Sequence, residues 1–336
     1  MEAVADVGIV GAGPCGLAAA VAMKRAGLDA LLMDRACLVS GIASYPTYIN
    51  FFSTAERLSI AGIPFVVPTE KPSRRDALAY YRAVARHFDV PLRQYENVVA
   101  VEPRGERFLL RTRNRFGEES ELDVGALVVA TGYFGHPNRL GVPGEDLPHV
   151  THLFTEGHWA FDQDVVVVGG GNSAVEAVLD LYRAHARVTL VHFAPSIDPN
   201  VKPWIVPDIT NRIKEGSVDA RFDSRVSAIE PHEVLLDTPR GAERVRAEHV
   251  YLMLGYQPNN DLLLQLGVPI DPGTGIPRHD PVTMETAIPG VFIAGVIASG
   301  YDANKTFIEN GRYHGELIAR KLTGSAVPAF STTPAE

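Results

Sequence analysis

Residues 6–34 read DVGIVGAGPCGLAAAVAMKRAGLDALLMD, a complete strand–helix–strand unit. Val7 to Val10 make a short apolar run, as a buried strand requires. Gly11, Gly13 and Gly16 follow at G-x-G-x-x-G spacing. Leu17 to Ala26 are Ala-rich and helical in pattern, and Gly27 ends them. Ala30 to Met33 make the second strand, which closes on Asp34. Each part has a mechanical reason. Gly11 allows the tight turn, Gly13 lets a diphosphate approach the backbone, and Gly16 lets helix and strand pack closely. Pro14 and Cys15 fill the turn, the phosphates face the helix N-terminus, and Asp34 can accept from a ribose. The alternative is a glycine-rich turn in an unrelated α/β domain.

The pattern returns at residues 164–193, DVVVVGGGNSAVEAVLDLYRAHARVTLVHF. Val165 to Val168 are the strand, and Gly169, Gly171 and Ala174 take the three small positions. Asn172 precedes a helix that runs from Ser173 through Tyr182, and Val188 to Val191 form the next strand. Two independent dinucleotide motifs imply two dinucleotides, most economically a flavin and a nicotinamide. Between them, residues 97–132 alternate like hairpin strands and run into a buried strand ending Ala130-Thr131-Gly132. A strand ending near Gly255 closes the second unit, and residues 286–322 read as a strand, a Gly-rich turn and a long helix. The expected architecture is α/β, with two Rossmann-like dinucleotide-binding domains of three-layer ββα type. One domain comprises 1–141 and 272–336, and it encloses a second at 142–271. Pro/Gly-rich segments mark both crossings.

Composition narrows the class. The 336 residues suggest about two domains, on a prior of roughly 150 residues each. A net charge of −9 offers no basic excess for nucleic acid or an anionic membrane. No apolar run reaches the ~18 residues of a membrane helix. Cys15 and Cys37 are the two cysteines and give neither a disulfide framework nor a zinc pattern, which fits a reducing cytoplasm. The eleven histidines form no metal pattern, so no metal is expected, and His149, His152 and His158 are read as surface residues of a crossing segment.

The chain resembles the two-dinucleotide flavoproteins of the low-molecular-weight thioredoxin-reductase type, through the ATG strand end, GGGNSAVEA and PGVFIAG. It lacks the C-x-x-C of those enzymes in its inserted domain, so it cannot run their dithiol relay. A closer resemblance is to the bacillithiol-disulfide reductase family. GPCGLA, INFFSTAERLSIAGIPF, KPSRRDALAYYR, KPWIVP and AGVIASGYDANKTFIENGR carry it. The resemblance implies FAD in the first domain and NADPH in the inserted one. It also implies reduction of a small-molecule thiol disulfide, and a homo-oligomer of two or four chains is expected. Thr131, Gly132 and Gly295 then belong to the flavin site. The wider class places an acid after Gly295 for the ribityl chain, but here Val296 follows. Relatives bring a helix N-terminus to the flavin where Asp302–Phe307 stands. That segment is expected to open the last helix, capped by Asp302 or Asn304, with Lys305 and Thr306 near the cofactor. For the nicotinamide nucleotide, the turn after the second strand of the inserted domain has no acid to hold a 2′-hydroxyl, which favours NADPH. It also has no arginine, which leaves His192 and Lys202 as cations.

Residues 47–65 read as a loop near the flavin, with Tyr48, Asn50 and Phe51 lining the ring or simply packing. Pro72-Ser73 starts a helix with an apolar stripe of Leu78, Tyr81, Val84 and Ala85, and Arg74 and Arg75 either attract an acidic thiol or face solvent. Cys15 has two readings. A helix N-terminus lowers a thiol pKa below its free value of about 8.5, and the family resemblance makes this cysteine the redox candidate. Two adjacent phosphates oppose a thiolate, and the crowded turn needs a small residue in any case. The functional alternatives are a ferredoxin- or flavodoxin-NADP reductase and a non-catalytic flavin-binding redox sensor.

Overall fold

The computed structural model describes residues 3–302 and 305–324. The chain begins with β1 (Ala3–Val10), α1 (Pro14–Arg25) and β2 (Ala30–Asp34). Pro14 occupies the first helical turn, where its missing N–H has no partner to lose. Lys24 and Arg25 sit in the last turn, where the helix dipole favours cations. Short helices α2 (Ser40–Ala43) and α3 (Ala55–Leu58) lead to α4 (Arg74–His87). Ser73 caps α4 as expected: Asp76 N donates to its Oγ at 3.2 Å, and Ser73 N donates to the Asp76 carboxylate at 2.8 Å. Of the expected stripe, Tyr81 and Val84 are fully buried, and Ala77 and Tyr80 complete the buried face. Strands β3 (Leu92–Gln94), β4 (Glu96–Arg104), β5 (Arg107–Asn114) and β6 (Glu119–Val129) follow.

Next come β7 (Val150–Thr151), β8 (Asp164–Val168), α5 (Asn172–Arg183), β9 (Arg187–Val191) and α6 (Val206–Lys214). Then β10 (Asp219–Arg221), β11 (Arg225–Ile229), β12 (Glu233–Thr238), β13 (Gly241–Arg246) and β14 (His249–Leu252) complete this stretch. The chain returns through α7 (Asp261–Gln265), β15 (Val291–Ile293), α8 (Ile308–Gly311) and α9 (His314–Thr323).

Two compact units result. The first comprises 1–43, 49–136 and 257–336, and the second 44–48 and 137–256. The first is therefore interrupted in sequence, but its crossings differ from the expected 141/142 and 271/272. Residues 257–271 stay with the first unit because α7 packs on β4. There Val101 N donates to Gln265 Oε1 at 3.2 Å, and Gln265 Nε2 donates to Val99 O at 3.4 Å.

In the first unit β3-β2-β1-β6 run parallel, and β15 joins the end of β6 in parallel. The start of β6 pairs antiparallel with β5, and β5 with β4. In the second unit β10-β9-β8-β14-β7 are parallel, and β11-β12-β13 form a separate antiparallel layer. The valines of β8 alternate between two cores, as the two-residue strand period requires. Val165 and Val167 pack with Val175 and Val178 of α5, while Val166 and Val168 join Val234 and Leu236 of β12. This is the expected three-layer α/β design, built twice.

The first turn is tightly packed. Gly11 has φ +106°, a conformation that L side chains avoid. A Cβ on Gly16 would lie 1.9 Å from Gly11 O, so α1 crosses the end of β1 backbone to backbone. Gly16→Ala is expected to lower stability by about 3 kcal/mol, because the crossing must open. Gly13→Ala, whose methyl meets nothing within 4 Å, should cost no more than about 1 kcal/mol. Thermal midpoints check both, and an unchanged midpoint in Gly16→Ala would refute the close crossing.

Candidate functional site

The first motif builds a cradle at the carboxyl ends of β1, β6 and β15. Gly11 N donates to Met33 O at 2.8 Å, and a Cβ on Gly11 would strike Ala130 O at 2.3 Å. Gly13 has clear space instead, which leaves the start of the twelve-residue α1 open to an anion. Asp34 is buried, and both of its oxygens are engaged. Ala12 N donates to Oδ2 and Ala36 N to Oδ1, each at 2.8 Å. The carboxylate thus braces the turn first, and any ribose hydroxyl shares it through the remaining lone pairs. Thr131 Oγ1 donates to Asn259 O at 2.9 Å, Asn259 N donates to Gly132 O at 3.1 Å, and Gly132 lies beside Val296.

Cys15 faces the same point from α1. A Cβ on Gly295 would lie 2.9 Å from Cys15 Cβ, and one on Gly311 would lie 2.9 Å from Cys15 Sγ. Burial pushes the thiol up to about 12. This corrects the expectation of a lowered pKa, because desolvation outweighs the helix N-terminus here. His314 completes the cluster: Gly295 N donates to its Nδ1 at 3.1 Å. Burial, together with the nearby His279, holds His314 down to about 4.

The helix expected from Asp302 begins later. Residues Gly295–Ser299 form a 3₁₀ turn, and the next helix, α8, opens only at Ile308, where Phe307 N donates to Asn310 Oδ1 at 2.7 Å. Asn304 lies outside the described residues. Lys305 is exposed and pairs with Asp302 at 3.7 Å. Thr306 meets Ser299 through their hydroxyls and packs by Gly311. A four-residue α8 carries a small dipole, and the longer helix, α9, begins only at His314, whose side chain reaches Gly295. Of the loop residues, Tyr48 belongs to the second unit, while Asn50 bridges Ser73 and Phe51 N donates to Pro72 O at 2.9 Å. Arg74 is structural, donating to Ala43 O at 2.5 Å, and Arg75 is exposed.

The second cradle repeats the first. Gly169 N donates to Val191 O at 2.9 Å, Ala174 packs against Gly169, and Gly171 has clear space before α5. Asn172 does more than open the helix: its Oδ1 accepts from Lys202 N at 2.8 Å and pins the following loop. Ser173 lies half-exposed in the first turn. His192 is buried against Gly170, its Nδ1 has no hydrogen-bond partner, and burial lowers its pKa. It is a neutral wall rather than the cation expected there. The Lys202 ammonium lies 6.0 Å from the Trp204 ring. An arginine absent from the local sequence arrives through space. The Arg225 guanidinium lies 5.2 Å over the Phe193 ring. Of the histidines expected at the surface, His158 is exposed, whereas His149 and His152 are half-buried and His152 Nε2 sits 3.4 Å from buried Glu145. Among the described residues, no group of three His, Cys, Asp or Glu could hold a metal, and no helix is long and apolar enough to cross a membrane.

Clear space at Gly13 and Gly171, each before a twelve-residue helix, fits two dinucleotide diphosphates. A family model described as pyridine nucleotide-disulphide oxidoreductase matches residues 8–295. The chain belongs to that family. Within it, bacilliredoxin reductase Bdr of Bacillus subtilis (strain 168) is 41% identical, covering 94% of this chain and 96% of its own. The structure of bacillithiol disulfide reductase Bdr (YpdA) from Bacillus cereus is also 41% identical, with a TM-score of 0.93, covering 96% of this chain and 99% of its own. The Staphylococcus aureus counterpart is 38% identical with a TM-score of 0.90 over the same shares. The chain is thus an oxidoreductase of that family, similar to the bacillithiol disulfide reductases.

Sequence reading missed His314 and Arg225. No spacing rule marks either one, because each reaches its site through strand and helix placement. His314 carries a pH prediction. It is neutral in the fold down to about pH 4, whereas the unfolded chain protonates it near 6.5. Its contribution to stability is complete above about pH 6.5 and is lost as pH falls toward 4, about 3 kcal/mol in all. Thermal midpoints measured across that range should fall less steeply in His314→Gln than in the wild type; equal slopes would overturn the assignment.

Proposed function

We propose that the chain is an FAD-dependent NADPH:disulfide oxidoreductase acting on the disulfide of a low-molecular-weight thiol, bacillithiol disulfide above all. The observation that carries this reading is the pair of open cradles in a chain with one cysteine at the first cradle and none in the second unit. The first unit takes FAD at Gly11, Gly13, Pro14, Cys15, Gly16, Asp34, Thr131, Gly132 and Gly295. The second takes NADPH at Gly169, Gly171, Asn172, Ser173 and Ala174, with His192 and Lys202 at its border. NADPH, a proton and the disulfide give NADP⁺ and two thiols, and FAD when bound supplies the two-electron link between them. The chain's own groups hold and orient. The N–H groups that open α1 and α5 face the two diphosphates. His314 fixes the Gly295 turn beside Cys15.

Cys15 is the candidate for thiol exchange. Its thiolate would attack one sulfur of the substrate, release one thiolate and retain the other half as a mixed disulfide. Burial works against this by keeping the thiol protonated, and the packing role needs no ionisation. Lys305, exposed and paired with Asp302, and Thr306, tied to Ser299, border the site. The cytoplasm is the compartment this chemistry serves, and a homo-oligomer is the assembly we expect.

The purified protein should be yellow, with one FAD per chain, and should oxidise NADPH when given bacillithiol disulfide. A colourless protein that takes up no FAD, or one that reduces only a ferredoxin, would refute the reading. Cys15→Ala should keep NADPH oxidation with an artificial acceptor and lose at least about 90% of disulfide reduction, given that a thiolate is the exchanging species. Full disulfide reduction in Cys15→Ala would assign the cysteine to packing.

A further inference from the structure

We infer that Arg225, on the antiparallel layer of the second unit, is the residue that selects the 2′-phosphate of the nicotinamide nucleotide. The inference rests on the assignment of the second cradle to that nucleotide. In a βαβ dinucleotide site the adenosine ribose sits at the carboxyl end of the second strand. Here that strand is β9, and the turn after it is His192-Phe193-Ala194. The chain segment before Arg225 is laid along this turn. Ser224 N donates to His192 O at 3.0 Å, and Asp223 N donates to Ala194 O at 3.0 Å. Arg225 therefore leaves the backbone at the place where a 2′-substituent would stand. Its guanidinium lies over the ring of Phe193, a residue that is 61% exposed.

Charge pairing separates Arg225 from its neighbours. The second unit holds nine arginines. Arg139, Arg183, Arg187, Arg212, Arg221, Arg244 and Arg246 each pair with a carboxylate within 4.0 Å. Arg240 lies in the tight turn between β12 and β13, at the same end of the layer as Arg225, but the hydrogen bonds to the β9 turn come from Asp223 and Ser224, beside Arg225. Arg225 stands opposite Asp237 in the β11–β12 register, yet no ion pair joins them among the described residues. The other groups at the turn do not serve. His192 is buried, and the Lys202 ammonium sits by Trp204. A guanidinium held over an aromatic ring still offers N–H edges, and those edges match two phosphate oxygens. The exposed stacking itself is weak, on the order of 1 kcal/mol or less, so it orients the group without locking it.

The test uses the FAD-loaded enzyme and two probes, 2′,5′-ADP and 5′-AMP, with affinities measured by calorimetry. Arg225→Gln should weaken 2′,5′-ADP about tenfold or more, as expected for loss of a charge-assisted pair, and leave 5′-AMP unchanged. With an artificial acceptor, KM for NADPH should rise by the same factor while kcat and all NADH constants hold. Arg225→Lys should restore part of the loss. Unchanged 2′,5′-ADP affinity in Arg225→Gln would overturn the inference, as would equal loss for both probes, which marks a packing role at Phe193. Either result leaves the disulfide reductase reading intact. A wild-type enzyme that binds neither probe would instead remove the cradle assignment, and the inference with it.

Discussion

The backbone crossing of α1 over the end of β1 governs the first unit. With 1.9 Å between a Gly16 Cβ and Gly11 O, no side chain fits at the contact. The helix therefore lies backbone to backbone against the end of the strand. That placement aims the free N–H groups of the first turn at the space over Gly13. It brings Cys15 against Gly295 and Gly311, and it sets Ala12 N on Asp34. One turn farther along α1, Gly315 of α9 packs on Ala19, where a Cβ would come within 2.4 Å of Ala19 Cα. Small residues at both contacts let α1 approach the strand end and α9 at close range, and dispersion over such close contacts is individually weak and collectively large.

The second unit repeats the plan with a looser crossing. Ala174 stands where the first motif has Gly16, and its Cβ lies 3.2 Å from a Cβ built at Gly169. A methyl is tolerated, so α5 stands slightly farther off. The turn is stiffened in another way. His192 fills the side of Gly170, Asp198 N donates to Gly170 O at 2.9 Å, and Asn172 ties down Lys202 N. Side chains and a loop brace here what backbone contact braces in the first unit.

The fold was legible because its determinants are local. Each βαβ unit lies within 30 residues, and strand period, glycine spacing and helix ends all agree there. The cradle glycines were legible for the same reason. The crossing points were not, since Gln265 joins the first unit through contacts to Val99 and Val101, far away in sequence. The helix after Gly295 was placed too early: Asp302 offers a plausible cap, but the chain first spends residues on a 3₁₀ turn and a Gly300 with φ +58°. The Cys15 pKa was misjudged because a dipole can be read from sequence, whereas desolvation depends on what packs around the thiol, here Gly295 and Gly311 from the distant end of the chain.

Those two glycines also explain the electrostatic character of the first site. Cys15 and His314 flank Gly295 from opposite elements, and burial moves their pKa values apart, one to about 12 and the other to about 4. Both groups are consequently neutral throughout the range near pH 7. An ionised thiol would stand beside a bound diphosphate, and a protonated imidazole would lose the lone pair that accepts from Gly295 N. Neutrality of each preserves the other's setting: the turn stays anchored, and the thiol stays in a low-dielectric pocket. Any thiolate chemistry at Cys15 must then come with a change of surroundings that replaces desolvation by a cation or a donor.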